Sequence, residues 1–193
     1  SMAQVMIEEN IYKKRFIQEQ SDLPLLRRVD NGRFLRESDV KAEGSNDIFY
    51  FHDLKSKQIL AASSNTLELG DLDPALEGEF EVDTLAGRIK VRPVFADLRD
   101  HLQQYTPELA SAICGVDPET IRGLARDLAR ARAASILAQS NFSKFYHGLE
   151  MERAQVLCWV LAGQIGHKGA GYQGFPSLYS DGYDNFGGLK GKD

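Results

Sequence analysis

The spacing of hydrophobic residues predicts four helices in the first 130 residues of the chain. Residues 8–19 and 94–104 carry large apolar side chains three or four positions apart, which places these side chains on one face of a helix. Two further helices are predicted where an N-cap residue precedes a proline, at Thr106 and Asp117, because proline suits the first helical position. The first of these two is expected to end at Gly115.

Between the first two of these helices, the sequence has the pattern of β-strands. In residues 47–62 the strands IFYFH and QILAA flank the loop DLKSK, and in residues 79–94 the strands EFEV and IKVRPV flank the loop DTLAGR. Both stretches predict β-hairpins. His52 falls at a strand end with no residue spaced to orient it for catalysis, so we interpret it as a structural or surface histidine.

Residues 135–174 have the clearest organisation in the chain. Residues 135–138 are apolar and predict a buried strand, residues 139–147 form a polar and aromatic loop, and a helix is predicted from Gly148 to near Gly163. Because the second half of that helix is apolar nearly all round, we expect it to be buried on several sides. A glycine-rich exit follows the helix.

The order helix, strand, loop and helix is typical of an α/β layer. We therefore predict an α/β fold in which helices pack on a mostly parallel, Rossmann-like sheet, with the pair of β-hairpins inserted. Four segments are expected along the chain: an N-terminal helix and extended connector (1–46), the hairpin region (47–93), the α/β portion (94–172) and a glycine-rich tail (173–193).

Composition narrows the class of protein. The chain has 193 residues and a formal net charge of −5, which argues against a general nucleic-acid binder. It has no apolar window of about 18 residues, so we expect no membrane span. Cys114 and Cys158 lie in apolar helical contexts and are expected to be reduced core residues. Nine of the 17 glycines fall in the last 31 residues, and this imbalance favours a segment of a longer protein.

The loop after the strand at 135–138 is the candidate binding site. Open α/β sheets bind ligands at the carboxyl ends of their strands, and the free N–H groups at the start of a helix favour an anion such as phosphate. Five polar or aromatic residues lie at that place in the sequence: Asn141, Ser143, Lys144, Tyr146 and His147. The alternative interpretation is an ordinary solvated loop, and the pattern alone leaves that alternative open.

Five stretches of the sequence resemble one family of enzymes. They are, in chain order, FIQEQSDLPLLRR (16–28), GRFLRESDV (32–40), PALEGEFEV (74–82), YTPELASAICGVDPETIRGLARDLA (105–129) and KFYHGLEMERAQVLCWVLAGQIGHKGAGY (144–172). Together they are similar to the middle part of the large catalytic subunit of molybdopterin oxidoreductases, the dimethyl sulfoxide reductase family. Within that family, the chain most resembles the branch of respiratory nitrate, selenate and perchlorate reductases and ethylbenzene dehydrogenase-like enzymes.

The resemblance implies part of a molybdenum-dependent oxidoreductase that transfers oxygen atoms or hydroxylates its substrate, for example by reducing nitrate or a related oxyanion. Such subunits bind molybdenum through two molybdopterin guanine dinucleotides, and the α/β portion at 94–172 would help to hold them. The resemblance implies eight cofactor-binding residues: Ser140, Asn141, Lys144, Tyr146, His147, Gly166, Gly169 and Gly171. It also implies four candidate pocket residues in the tail: Tyr179, Asp181, Asp184 and Asn185. It assigns no catalytic residue and no metal ligand to this chain.

In the family, an iron–sulfur cluster and the aspartate ligand of molybdenum lie upstream of the region that this chain resembles. The implied partners are the rest of the catalytic subunit and an iron–sulfur electron-transfer subunit, with no nucleic acid and no direct membrane span. The sequence leaves the location open between the cytoplasm and the periplasm of a bacterium or an archaeon, and partner subunits are a possible means of membrane association. On its own, the segment is expected to have no redox activity.

A stand-alone α/β module that binds a nucleotide or a protein without catalysis is the alternative function. A hydrolase has no support, because the sequence contains no GxSxG nucleophile elbow. A phosphate-binding GxxxxGK[ST] loop is absent as well.

Overall fold

Helices dominate the structure, a computed structural model that describes residues 1–62, 69–138 and 142–173. The helices are α1 (Met2–Glu8), α2 (Lys14–Gln20), α3 (Glu37–Val40), α4 (Val94–Leu102), α5 (Pro107–Cys114), α6 (Pro118–Arg130) and α7 (Gly148–Leu161). Five of them, α1, α2, α4, α6 and α7, share one hydrophobic core. Its most deeply buried side chains include Met6, Ile17, Phe95 and Leu161. The N-terminal helices therefore pack directly against the helices of the α/β portion.

The capping signals in the sequence place the starts of α5 and α6 correctly. The Thr106 hydroxyl accepts a hydrogen bond from the backbone N–H of Leu109, at 3.2 Å. The Asp117 carboxylate accepts one from the N–H of Thr120, at 3.0 Å. Gly115 follows α5 with φ 74°, the left-handed conformation that favours glycine. These three predictions are confirmed. They could be made from the sequence because each depends on residues that are close together in the chain.

The predicted helix over residues 8–19 is wrong in its bounds. Helix α1 ends at Glu8, and α2 begins only at Lys14. Asn10 lies between them with φ 53°, a left-handed conformation that a continuous right-handed helix cannot contain. The start of α2 is tied instead to the end of α7, because the Lys13 N–H donates to the Leu161 carbonyl at 2.8 Å.

Both predicted β-hairpins are confirmed. Strands β2 (Tyr50–Asp53) and β3 (Gln58–Ala61) form the first hairpin, and β4 (Phe80–Thr84) and β5 (Gly87–Pro93) form the second. Strand β1 (Leu26–Arg28) pairs antiparallel with β5, so that one sheet has the order β1-β5-β4. Leu26, Tyr50, Val82 and Val91 belong to one buried cluster, which joins the two hairpins through a second, smaller core.

The fold is α/β, as predicted, but the prediction of a mostly parallel sheet is wrong. Among the strands that the structure describes, only β6 (Ser135–Leu137) and β7 (Gly171–Gln173) pair in parallel. A parallel pair needs a crossover connection, and α7 provides one between these two strands. In each hairpin the chain turns back through a short loop, and such a loop can only join antiparallel strands.

Two further findings concern residues noted in the sequence. Cys158 is buried, as expected, whereas Cys114 is exposed, so the expectation that Cys114 is a core residue is wrong. Its helix α5 buries only Pro107 fully and leaves its other side chains at least partly open to solvent. Across the described residues, we find no helix with the length and hydrophobicity needed to cross a membrane.

Candidate functional site

The candidate site is built on the parallel pair β6 and β7 and on the helix α7 that connects them. Ser135, Ile136 and Leu137 pair in register with Gly171, Tyr172 and Gln173. The strand predicted over 135–138 is confirmed as β6, one residue shorter, but its predicted burial is wrong, because Leu137 is 64% exposed. A parallel strand is normally covered on both faces. The exposed face of β6 at Leu137 could therefore be covered by a ligand or by another part of a protein.

One buried side chain holds the connector between α6 and β6 in place. Gln164 is 2% exposed and lies just after α7. Its Oε1 accepts from the N–H of Ala134 at 2.9 Å, and its Nε2 donates to the carbonyl of Ala131 at 2.8 Å. The indole N–H of Trp159 donates to the Ala134 carbonyl at 3.3 Å. Together these bonds fix the point where β6 begins.

The role of Gln164 is not predicted by the sequence, because its partners lie about 30 residues away and a single glutamine after a helix shows no pattern that indicates burial.

The second strand is anchored on the same helix. The Tyr172 hydroxyl donates to Gln155 Oε1 at 3.1 Å, and its ring packs edge-on against Trp159 with the centroids 6.4 Å apart. Partial burial, assisted by the charge of Glu152, raises the pKa of Tyr172. The phenol therefore stays protonated and remains a hydrogen-bond donor at neutral pH. These contacts hold β7 against α7, next to the loop that precedes the helix.

The loop residues predicted to bind a ligand are exposed where the structure describes them. Lys144 ends a short 3₁₀ turn (Phe142–Lys144), and Tyr146 and His147 follow it directly before α7. Tyr146 is 89% exposed, and its ring meets the imidazole of His147 with the centroids 4.0 Å apart. Ser140 and Asn141 lie outside the described residues. Lys144, Tyr146 and His147 thus lie close together in the chain just before α7, and the rings of Tyr146 and His147 are in contact.

The start of α7 offers free backbone donors. His147 is the N-cap residue with φ 58°, and its side chain does not cap the helix. The Gly148 N–H donates back to the Phe145 carbonyl at 2.9 Å. The next two N–H groups, of Leu149 and Glu150, have no acceptor within the helix, because an α-helix leaves its first N–H groups unpaired. These N–H groups and the helix dipole favour an anion at this position.

Large apolar side chains are exposed on the first turn of α7, in the loop before it and at the end of β6. Leu137, Phe145 and Leu149 are each 64% exposed, and Met151 is 41% exposed. The exposed part of α7 is its first half. Its second half, Gln155 to Leu161, is buried or half-buried throughout and is packed by α1, α2 and α6, so the predicted burial on several sides is confirmed there. Burial raises the pKa of the Cys158 thiol, which keeps it neutral. Exposed apolar area on this scale around polar donors is characteristic of a binding surface.

The glycine-rich turn after α7 carries the chain back to β7. Gly166 and Gly169 have φ values of 83° and 86°, and Gly171 has a φ of 150°. A Cβ atom at Gly166 would meet no atom within 4 Å, and one at Gly169 would lie 3.4 Å from Ala133. Glycine is therefore needed at these two positions for their backbone conformation rather than for lack of space. The four candidate pocket residues lie outside the described residues: Tyr179, Asp181, Asp184 and Asn185.

No group of three or more histidine, cysteine, aspartate or glutamate side chains in the described ranges is arranged to hold a metal ion. What the described part of the site offers is a lysine ammonium, two aromatic rings, free helix N–H groups and an apolar rim. That donor set suits a large anionic ligand with a planar ring system.

Comparison with known proteins identifies the family. No family model matches the chain. The alpha subunit of chlorate reductase from Ideonella dechloratans is 39% identical over 198 aligned residues, which cover 100% of this chain and 21% of the relative. The alpha subunit of dimethylsulfide dehydrogenase from Rhodovulum sulfidophilum is 39% identical over 88% of this chain and 19% of the relative. The alpha subunit of respiratory nitrate reductase from Haloferax mediterranei is 34% identical, again over 88% of this chain and 19% of the relative.

These relatives are all molybdoenzymes of one family. The chain belongs to the dimethyl sulfoxide reductase family. It spans about a fifth of the length of the curated relatives that it matches. The resemblance inferred from the five sequence stretches is thereby confirmed, and it extends along nearly the whole of this dimethyl sulfoxide reductase family segment.

Proposed function

We propose that this chain is a segment of the catalytic subunit of a molybdenum oxidoreductase and that it helps to hold a molybdopterin guanine dinucleotide. The observation that carries the proposal is the exposed loop at the end of β6, where ligand-type donors converge on the start of α7. The homology to alpha subunits of reductases and a dehydrogenase gives that loop its chemical context.

The residues of the loop fit the chemistry of such a cofactor. The Lys144 ammonium and the unpaired N–H groups of Leu149 and Glu150 would bind phosphate oxygens. The exposed faces of Tyr146 and His147 would pack against a planar ring. A dinucleotide carries both kinds of group, so each part of the donor set has a counterpart.

The protein's own role at this position is to bind and to exclude water. When bound, the molybdenum cofactor supplies two-electron chemistry that transfers an oxygen atom or hydroxylates a substrate. Leu137, Phe145 and Leu149 would cover the bound ring system and keep water from it. Gly166 and Gly169 give the return turn a backbone path without side chains, so the backbone could approach the cofactor closely. The cofactor carries the redox chemistry, and these residues position it.

The parent protein's substrate and partners belong to the same proposal. Two of the relatives described above are named for the reduction of chlorate and nitrate, so we propose an oxyanion or a related small molecule as substrate. We further propose two molybdopterin guanine dinucleotides per molybdenum and an iron–sulfur cluster in another part of the subunit. An iron–sulfur electron-transfer subunit is the proposed partner.

The test is a cofactor assay on the complete gene product. Molybdenum is measured by elemental analysis, and GMP is measured after acid release. We expect about one molybdenum and about two GMP per subunit. Lys144→Gln should lower the GMP content several-fold, because it removes a phosphate contact. Lys55→Gln, at an exposed lysine in the loop of the β2–β3 hairpin, is the matched control and should leave the content unchanged.

Two results would count against the proposal. A complete gene product free of molybdenum and GMP would favour the stand-alone binding module. Equal GMP content in Lys144→Gln and in the unaltered protein would show that the loop does not hold the cofactor.

A further inference from the structure

A second polar site lies in the part of the fold built by β1 and α3. After β1 the chain turns at Gly32 and returns alongside it, with the Arg28 N–H donating to the Arg33 carbonyl at 2.8 Å. Between this turn and α3 lies a cavity of about 610 Å³ that is open to solvent on one side. Three arginines line it: Arg28, Arg33 and Arg36. A concave site of this size suits a small molecule rather than a flat protein surface.

Two of these arginines are held in place by the protein. Arg28 has its charge neutralised by Asp30, at 2.7 Å, and by Asp39, at 2.5 Å. Arg36 donates from Nη1 to the Asn46 carbonyl at 2.6 Å, and its guanidinium lies 5.2 Å from the centroid of the Phe49 ring. Its position is therefore fixed by a neutral acceptor and an aromatic face.

The charge of the cavity is positive. Neither Arg36 nor Arg33 is paired with a carboxylate within the described ranges, whereas the carboxylate of Asp39 is fully engaged. Its Oδ1 accepts from Arg28, and its Oδ2 accepts from the backbone N–H of Arg36 at 2.9 Å. Three arginines and the carboxylates of Asp30 and Asp39 therefore sum to a formal charge of +1, and Arg33 and Arg36 are the two arginines with no carboxylate partner in the described ranges.

Two asparagines in the lining keep their NH₂ groups available as donors. Asn31 Oδ1 accepts from the backbone N–H of Arg33 at 2.9 Å. Asn46 Oδ1 accepts from the Ser38 hydroxyl at 2.7 Å. Because the protein occupies the oxygen of each amide, the NH₂ group of each is left to donate. A cavity that presents arginine forks and amide donors selects a ligand that is rich in acceptor oxygens.

We infer that this cavity binds a phosphate dianion, either inorganic phosphate or the phosphate group of a small organic ester. Arg33 and Arg36 each offer a guanidinium to the phosphate oxygens, and the NH₂ groups of Asn31 and Asn46 add neutral donors. The planar guanidinium fork binds phosphate through two parallel hydrogen bonds, and an Arg36 already fixed over Phe49 loses little freedom on binding. None of these residues belongs to the loop and helix proposed to hold the pterin cofactor.

The inference is tested by isothermal titration calorimetry on the complete gene product at low ionic strength. The probes are inorganic phosphate, glycerol 3-phosphate and nitrate. We expect saturable binding of phosphate that weakens as salt is added. Arg33→Gln should weaken it about tenfold or more, because it removes a charge-assisted contact. Arg130→Gln is the matched control at an exposed arginine at the end of α6, and it should leave binding unchanged.

A second variant protects the test against a folding defect. Asn31→Asp keeps the oxygen that accepts from Arg33 and adds a negative charge at the cavity, so it should abolish binding while leaving the thermal unfolding curve in place. Tighter binding of glycerol 3-phosphate than of phosphate would assign an organic ester, and equal or weaker binding would assign inorganic phosphate. Nitrate binding as tight as phosphate binding, or equal phosphate affinity in Arg33→Gln and the unaltered protein, would overturn the inference.

Discussion

Replacing Gln164 with leucine should destabilise the fold through two specific hydrogen bonds. The side chain is 2% exposed, and it accepts from the Ala134 N–H and donates to the Ala131 carbonyl, at 2.9 Å and 2.8 Å. Leucine has nearly the same volume, so little cavity is created, but both backbone groups lose their partner. Each loss costs about 1–2 kcal/mol for a partly buried group. We therefore expect the free energy of unfolding to fall by about 2–4 kcal/mol.

The assay is urea unfolding followed by circular dichroism, with amide hydrogen exchange as a local reading. Gln103→Leu is the matched control: the same substitution at an exposed glutamine should change the free energy by no more than about 0.5 kcal/mol. In Gln164→Leu the Ala134 amide should exchange faster, because its acceptor is gone. Gln164→Glu keeps that acceptor but loses the donor to Ala131, so Ala134 should stay better protected than in the leucine variant.

Unfolding of Gln164→Leu and Gln103→Leu at the same urea concentration would contradict this prediction. The prediction is equally refuted if the Ala134 amide keeps its full protection in Gln164→Leu. Either result would mean that the connector between α6 and β6 is held by other contacts, such as the bond from the Trp159 indole to the Ala134 carbonyl.

Two further predictions concern glycine and histidine. Gly163→Ala should lower the free energy of unfolding by about 1 kcal/mol or more, because φ is 66° and the new Cβ would lie 2.9 Å from Lys13 Cγ. Gly123→Ala, inside α6 with open space around it, should instead raise the free energy of unfolding by about 0.5–1 kcal/mol. Thermal unfolding of both variants checks this contrast, and a change of the same sign in both would contradict it. His52 stacks on Phe80 at 3.7 Å, and burial lowers its pKa below 6.5 despite the opposing charge of the adjacent carboxylate. The folded state therefore binds the imidazole proton more weakly than the unfolded state, so stability present above pH 6.5 should be lost as the pH falls below it. His52→Phe should reduce the pH dependence of the free energy of unfolding, measured by urea unfolding at several pH values. An unchanged pH dependence would contradict the prediction.

Features that depend on neighbouring residues were predictable from the amino-acid pattern. Thr106 and Asp117 mark their helix starts because each cap bonds an N–H group only three residues away. The two hairpins follow from alternating strands joined by short loops. The family also followed from the order of motifs, since homology is a property of the sequence. The position of the candidate site, between a strand and the start of α7, was likewise readable from the change in pattern near residue 148.

Features that depend on residues far apart in the chain became visible in the folded structure alone. The register of β6 with β7 is set by how α7 packs between them, and no local pattern encodes that pairing. The break at Asn10 arises because the chain must turn to place α2 against α7, although the apolar spacing continues through it. Gln164 becomes structural only when its amide meets Ala131 and Ala134.

The arginine cavity is decided in the same way. Nothing in the local sequence distinguishes Arg33 and Arg36 from other surface charges. They line one cavity because the turn after β1 folds back beside α3. Local energies fix the type of each element within a few residues. Packing between elements far apart in sequence decides which polar and apolar groups come into contact. The burial of a side chain and the charges that it faces therefore depend on the folded structure.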